Sequence, residues 1–405
     1  MNHILFSNII GTLNNYKFNV FGEYQTTSFL LAFGLLAWIP LLFVPLKYKF
    51  KVVLGLSVIF IFLSMPKIYF LALIILLTIF FVTSNFNFRL RGIIFGIAVA
   101  IMLISTPIIY KLFGIYSAFY SIAAYYSAFR VIHYFIDVKQ DPSTKNSLIS
   151  YLSFLLFFPC FSSGPIEKIQ NLHPKPLTKE KIFFGLRRAL IGIIKLAIYN
   201  LILLKISPVD FSLSNIGSWL IFSAYGGAIK LFVLLWGSWD IVIGLSALLG
   251  FKVSENFPKI PYLQRNLTQF WLNWQATLVN WIIGYIYFPL CKNRKYVYLK
   301  TMFIIMIIGW GHLFFNTKDF PTITLVMYYT LWGIFLGGTF ALSKSIGDLL
   351  NKPETKEWFL SKSKLLHKFF YTENVFLKVS SIFLTFNIIA IGLLSPLYLL
   401  ISLFL

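Results

Sequence analysis

The chain has 405 residues, 58% of them hydrophobic and 12% charged, about half the ~25% charged share of an average soluble domain. So few charges cannot clothe a soluble body of this length, which argues against a soluble enzyme, a disordered chain and a disulfide scaffold. A polytopic membrane protein fits, and its net charge of +22 is the Lys and Arg excess that cytoplasmic loops carry, so no nucleic-acid partner is expected.

In chain order, Met1 to Glu23 lacks a basic start and a clean apolar core, so no cleaved signal is expected there. Apolar runs follow at roughly 29–46, 52–66, 68–83, 92–110, 112–129, 189–206, 218–236, 301–315, 322–342 and 379–398. Several fall below the ~20 residues of a full crossing, a shortfall that bilayer thinning and snorkelling accommodate. Three further apolar segments, 148–163, 239–251 and 270–290, are assigned through the charges around them. Lys168, Lys175, Lys179, Lys181, Arg187 and Arg188 follow 148–163, and the other basic clusters include Lys47 to Lys51, Arg89 and Arg91, and Arg130 to Lys145. All of them share one face if 148–163 dips in and returns. The same reasoning makes 239–251 and 270–290 re-entrant, with Lys252 to Lys300 and Lys344 to Lys378 inside.

The expected fold is therefore all-α and polytopic: about 10–11 transmembrane helices plus re-entrant helices, with the N-terminus outside. Non-helical backbone at membrane depth is tolerated only where protein buries it or water reaches it, so the re-entrant segments mark a cavity. The whole chain, 1–405, reads as one membrane-embedded domain, with 343–378 a cytoplasmic connection and 379–405 a C-terminal helix. Cys160 and Cys291 make no disulfide framework, and Cys160, inside an apolar run, reads as a packed thiol.

Ionisable groups inside apolar segments are functional candidates by default. His312 lies in Gly309-Trp310-Gly311-His312, beside glycines that admit close backbone approach. A neutral imidazole there suits proton transfer from a substrate hydroxyl, and a histidine bonded across helices for packing is the competing reading. Asp240, in Trp236-Gly237-Ser238-Trp239-Asp240, is either a second functional group or the cap of a helix starting at Ile241. His133 and Asp137 stand four apart on one helix face and read as a solvated or headgroup-facing pair; no metal site is expected. Between Phe270 and Trp281, the indoles of Trp271, Trp274 and Trp281 alternate with the amides of Asn273, Gln275 and Asn280, a pattern suited to lining a wet cavity.

Those residues resemble the membrane-bound O-acyltransferase family, over most of the chain, with core motifs between 129 and 342. Phe129-Arg130-Val131-Ile132, Leu155-Leu156-Phe157-Phe158-Pro159 and Ser162-Ser163-Gly164-Pro165-Ile166 resemble the branch that adds D-alanine to teichoic acids. Asp240 to Leu245 and Glu255-Asn256-Phe257 resemble the motif shared with alginate O-acetyltransferases. Pro261-Tyr262-Leu263, Phe270-Trp271, Trp274 and Tyr285-Ile286-Tyr287 continue the family order, and Leu331-Trp332-Gly333 follows His312.

The resemblance implies a central tunnel, an acyl thioester donor (carrier-protein phosphopantetheine or coenzyme A) on the cytoplasmic side, and an extracytoplasmic glycopolymer acceptor. No bound cofactor is implied. It implies His312 as general base and Gln275, where the family has a second histidine, as its catalytic companion. Asp240, Trp271, Asn273, Trp274, Asn280 and Trp310 would line the substrate tunnel. Lys292, Arg294 and Lys295 would dock an acidic acyl carrier protein on the cytoplasmic face of a bacterial inner membrane. Because glutamine does not titrate, a repurposed scaffold or a transporter is the alternative that Gln275 raises.

Overall fold

A computed structural model describes residues 24–64, 118–141, 147–161, 163–207, 209, 213–293, 295–312, 323–363 and 375–394. Among them every regular element is helical and no strand occurs. The expected crossings at 68–83 and 92–110, with Arg89 and Arg91 between them, lie outside the described residues, as do Ser162, Arg294 and the residues just after His312.

In order the helices are α1 (Tyr24–Leu41), α2 (Leu46–Ser64), α3 (Ala118–Gln140), α4 (Leu148–Leu155), α5 (Lys179–Leu201) and α6 (Gly226–Leu248). They continue as α7 (Leu267–Asn273), α8 (Ala276–Ile282), α9 (Val297–Gly311), α10 (Ile323–Leu350), α11 (Pro353–Lys362) and α12 (Val375–Leu394). Among the described residues three stretches are long and apolar enough to cross a membrane: Ile216–Leu248, Val326–Leu350 and Val375–Gly392. Phe29–Leu41, Ala276–Cys291 and Val297–Gly311 are shorter apolar helices.

One expectation is corrected here. The runs 218–236 and 239–251 are not two elements: Ile216–Leu248 is a single helical stretch of 33 residues, with a π-helical segment at Trp219–Tyr225. Asp240 sits in its interior and caps nothing. The helix stops instead at Gly250, whose φ of +91° is open to glycine at no steric cost. There Phe251 N–H reaches Ser246 O at 2.8 Å and Gly250 N–H reaches Ala247 O at 3.0 Å, closing the last turn.

Two compact units are present. The first comprises Met1–Ile191, Ser238–Ser254 and Phe314–Pro321. Its centre is an aromatic cluster in which Phe33 and Phe60 both pack on Phe158, with ring centroids 5.2 and 5.3 Å apart. Phe158 belongs to a short 3₁₀ turn after α4, and its N–H donates to the Ser57 hydroxyl of α2 at 3.2 Å. Ser147 begins α4, accepting the Ser150 N–H at 3.3 Å. The early part of α5 meets the end of α6 at Gly185, Ala189 and Gly244, where a Cβ on Gly244 would stand 2.7 Å from backbone atoms of Gly185 and Ala189. Small residues are what let two backbones come this close.

The second unit comprises Gly192–Gly237, Glu255–Leu313 and Thr322–Leu405. The segment 270–290 is broken into α7, a turn at Trp274 and Gln275, α8, and a π-helical turn at Ile283–Tyr287. Beside it α9 and α10 pack closely, with Gly309 against Trp332, Gly333 against Met306 and Gly337 against Met302. Asn387 of α12 accepts a hydrogen bond from the Tyr225 hydroxyl, a polar tie between two apolar helices.

Candidate active site

His312 caps the C-terminus of α9, half-buried, with its ring 5.9 Å from that of Tyr329 and 5.8 Å from that of Trp332, both on α10. Its Nδ1 lies 2.8 Å from the carbonyl oxygen of Ile308. A carbonyl only accepts, so Nδ1 carries a proton, and in the neutral ring the lone pair is on Nε2. That is the tautomer a general base requires. Glycines set this geometry: Gly309 lies against Trp332 and the Tyr329 carbonyl, where a Cβ would be 2.8 and 3.0 Å from them. Trp310 is anchored in the same hairpin, its indole N–H donating to the Thr330 hydroxyl at 2.9 Å.

α7 also touches α10. The helix beside His312 therefore abuts the short helix that leads into Gln275. Asn266 caps α7 by accepting the Gln269 N–H at 2.8 Å. Asn273 donates back to Gln269 O at 2.8 Å, Trp271 is half-buried against Phe270, and Asn280 on α8 is exposed. Trp274 is buried in an aromatic box of Phe232, Phe257, Tyr262 and Phe270, with centroid separations of 6.3, 5.4, 5.8 and 5.5 Å. The next residue, Gln275, adopts φ 46° and ψ 50°, a left-handed conformation that non-glycine residues rarely hold.

Asp240 lies in the first unit, fully buried, with Arg188 Nη2 at 2.9 Å from its carboxylate. The pairing explains both its burial and the unbroken helix around it. Its neighbour Trp239 donates to the Ser163 hydroxyl at 2.8 Å. Arg130, expected in a basic cluster on the cytoplasmic face, is completely buried, donating to Leu155 O at 3.1 Å and to Cys160 O. Two carbonyls freed by the end of α4 and the following turn are satisfied this way. Glu167 is likewise buried and accepts the Ser254 N–H.

His133 and Asp137, read as solvated, are both buried, and Lys168 approaches Asp137 at 3.4 Å. Among the described residues no three His, Cys, Asp or Glu side chains gather as a metal site would need. Cys160 is buried, as a packed thiol should be. Lys292 and Lys295 are exposed on the turn before α9. Sequence reasoning missed the roles of Arg188, Arg130, Asn256 and Thr277. For the two arginines a signal was present, since Phe129-Arg130-Val131 and Arg188-Ala189-Leu190-Ile191 embed a charge beside apolar residues.

The membrane-bound O-acyltransferase family pattern matches residues 120–306. Over 232 residues the chain is 30% identical to the probable alginate O-acetylase of Pseudomonas putida, covering 54% of this chain and 44% of that protein. Over 307 residues it is 24% identical to the teichoic acid D-alanyltransferase of Streptococcus thermophilus, covering 66% of each. The peptidoglycan O-acetyltransferase of Helicobacter pylori is 26% identical over 178 residues, 40% of this chain and 33% of that one. The chain thus aligns with less than half the length of the alginate O-acetylases it matches.

Proposed function

Because residues 120–306 of this membrane protein match the pattern of the membrane-bound O-acyltransferase family, we propose that it moves an acyl group, D-alanyl or acetyl, from a cytoplasmic thioester donor to a hydroxyl of an extracytoplasmic cell-envelope glycopolymer. The observation that carries the reading is the hydrogen bond from His312 Nδ1–H to the Ile308 carbonyl, which makes Nε2 the basic nitrogen of the neutral ring. Nε2 takes the hydroxyl proton as the oxygen attacks the thioester carbonyl carbon. A C–O bond forms, and the carbonyl electron pair moves onto oxygen. Collapse of the tetrahedral intermediate restores the carbonyl and breaks the C–S bond, and the departing sulfur takes the proton back from His312. The products are an ester and a free thiol.

The amide N–H of Gln275 is the proposed donor to the developing oxyanion, a role that needs no titration. Trp271, Asn273, Trp274, Asn280, Trp310 and Asp240 are proposed as walls or supports of the substrate path. The exposed pair Lys292 and Lys295, with Arg294, would meet an acidic carrier protein or the phosphates of coenzyme A. The setting is the bacterial cytoplasmic membrane, crossed several times.

Mass spectrometry of the acids released from envelope polymers by mild alkali tests the reading, comparing cells with the wild-type chain, without it, and with H312A. Loss of one acid from both the null and the variant is the expected result, and that acid identifies the acyl group. Wild-type ester content with H312A would instead favour the repurposed scaffold that Gln275 suggests.

A further inference from the structure

Gln275 is held in a left-handed conformation although its side chain makes no capping hydrogen bond to α8. Local strain with no local return is the signature of a side chain placed for a function, provided that the surroundings enforce it. On the preceding side, the enforcing contact is Trp274 in its aromatic box. On the following side it is Asn256. The backbone carbonyl of Asn256 accepts the Ala276 N–H at 2.9 Å, and its side-chain oxygen accepts the Thr277 hydroxyl. Both groups are buried, Asn256 at 2% exposure. One residue thus grips the two that follow Gln275, through main chain and side chain together.

Resting on the acyl-transfer reading above, we infer that Asn256, through its bond to Thr277, is a positioning residue that fixes the angle at which the Gln275 amide meets the acyl carbonyl. The two grips act at different levels. The Ala276 bond starts α8 and is a matter of folding. The Thr277 bond closes a ring through residues 256, 276 and 277, which restricts the rotation of the turn that carries Gln275. A side chain misdirected by about 1 Å at a reacting centre can lower a rate by ~100-fold.

The test is the initial rate of polymer ester formation in intact cells, measured for T277V, T277S, N256A, Q275A and the pair T277V/Q275A, with H312A as background. Thermal midpoints of the purified proteins are read alongside. T277V removes only the hydroxyl and keeps the shape, so it stays informative where N256A fails to fold. The expected result is a ~10- to 100-fold fall for T277V with a cooperative transition whose midpoint drops only by what one lost buried hydrogen bond costs, with T277S near wild type. In the Q275A background, T277V should have no further effect. An equal fall in that background means general damage to the turn and overturns the inference, as does a wild-type rate in T277V or in Q275A. Failure of the underlying reading shows separately, as full ester formation in H312A.

Discussion

The imidazole of His312 is bonded through Nδ1 to the carbonyl oxygen of Ile308, one turn back along its own helix. The group that orients the base is therefore main chain, fixed by α9 and beyond the reach of side-chain substitution. H312A should lower ester formation by ~10²–10⁴-fold, the usual range for losing a general base. H312Q should fare no better, since it restores a hydrogen-bonding shape without a basic lone pair. Initial rates of polymer esterification check both.

Removal of one partner of the Arg188–Asp240 pair takes the opposite charge away from the other. The Asp240 side chain has no exposure to solvent and that of Arg188 has 22%. R188M should lose ~3–5 kcal/mol of stability, whereas R188M/D240L, which removes both charges, should recover most of it. Thermal unfolding of detergent-purified protein distinguishes them. A double variant as unstable as R188M would mean that Asp240 has a second indispensable contact.

The α9–α10 pair offers a comparison within one helix. A Cβ on Gly333 would fall 2.5 Å from the Met306 Cα, whereas one on Gly338 meets nothing within 4 Å. G333A should cost ~1–3 kcal/mol by overpacking. G338A should be neutral or gain up to ~1 kcal/mol of helix propensity. Because His312 ends α9 and touches Tyr329 and Trp332 of α10, G333A should also lower transfer.

Trp239 tests the network of the first unit. W239F keeps an aromatic ring but loses the indole N–H with its bond to Ser163 and part of the buried volume, and should cost at least ~1–3 kcal/mol. S163A removes the other half. The double variant should lose less than the sum of the two, by amounts that thermal midpoints resolve.

The membrane class and the all-helical character were legible because composition alone dictates them, and His312 stood out because a histidine in an apolar run has few reasons to be there. The continuity of α6 was not legible. Asp240 looks like a cap when read with its chain neighbours, and its true partner, Arg188, lies on another helix. Arg130 was grouped with the cytoplasmic basic cluster because its actual partners are backbone carbonyls, which leave no mark in a sequence. The left-handed turn at Gln275 was equally hidden, since glycine and asparagine are the usual flags for that conformation. The indoles and amides between Phe270 and Trp281 showed that the region was unusual, but not that Trp274 would sink among rings while Asn280 stayed exposed.

The burial of Arg130 also imposes a chronology. When α3 is laid down during synthesis, the carbonyls that receive its guanidinium still lie 25 and 30 residues downstream. An arginine cannot shed its proton to wait more comfortably. Until the stretch from Leu148 to Phe161 emerges and folds back, the charge must stay in water or among headgroups. α3 therefore reaches its final packing only after that stretch has arrived, and the first unit matures with a buried charge whose acceptors come late.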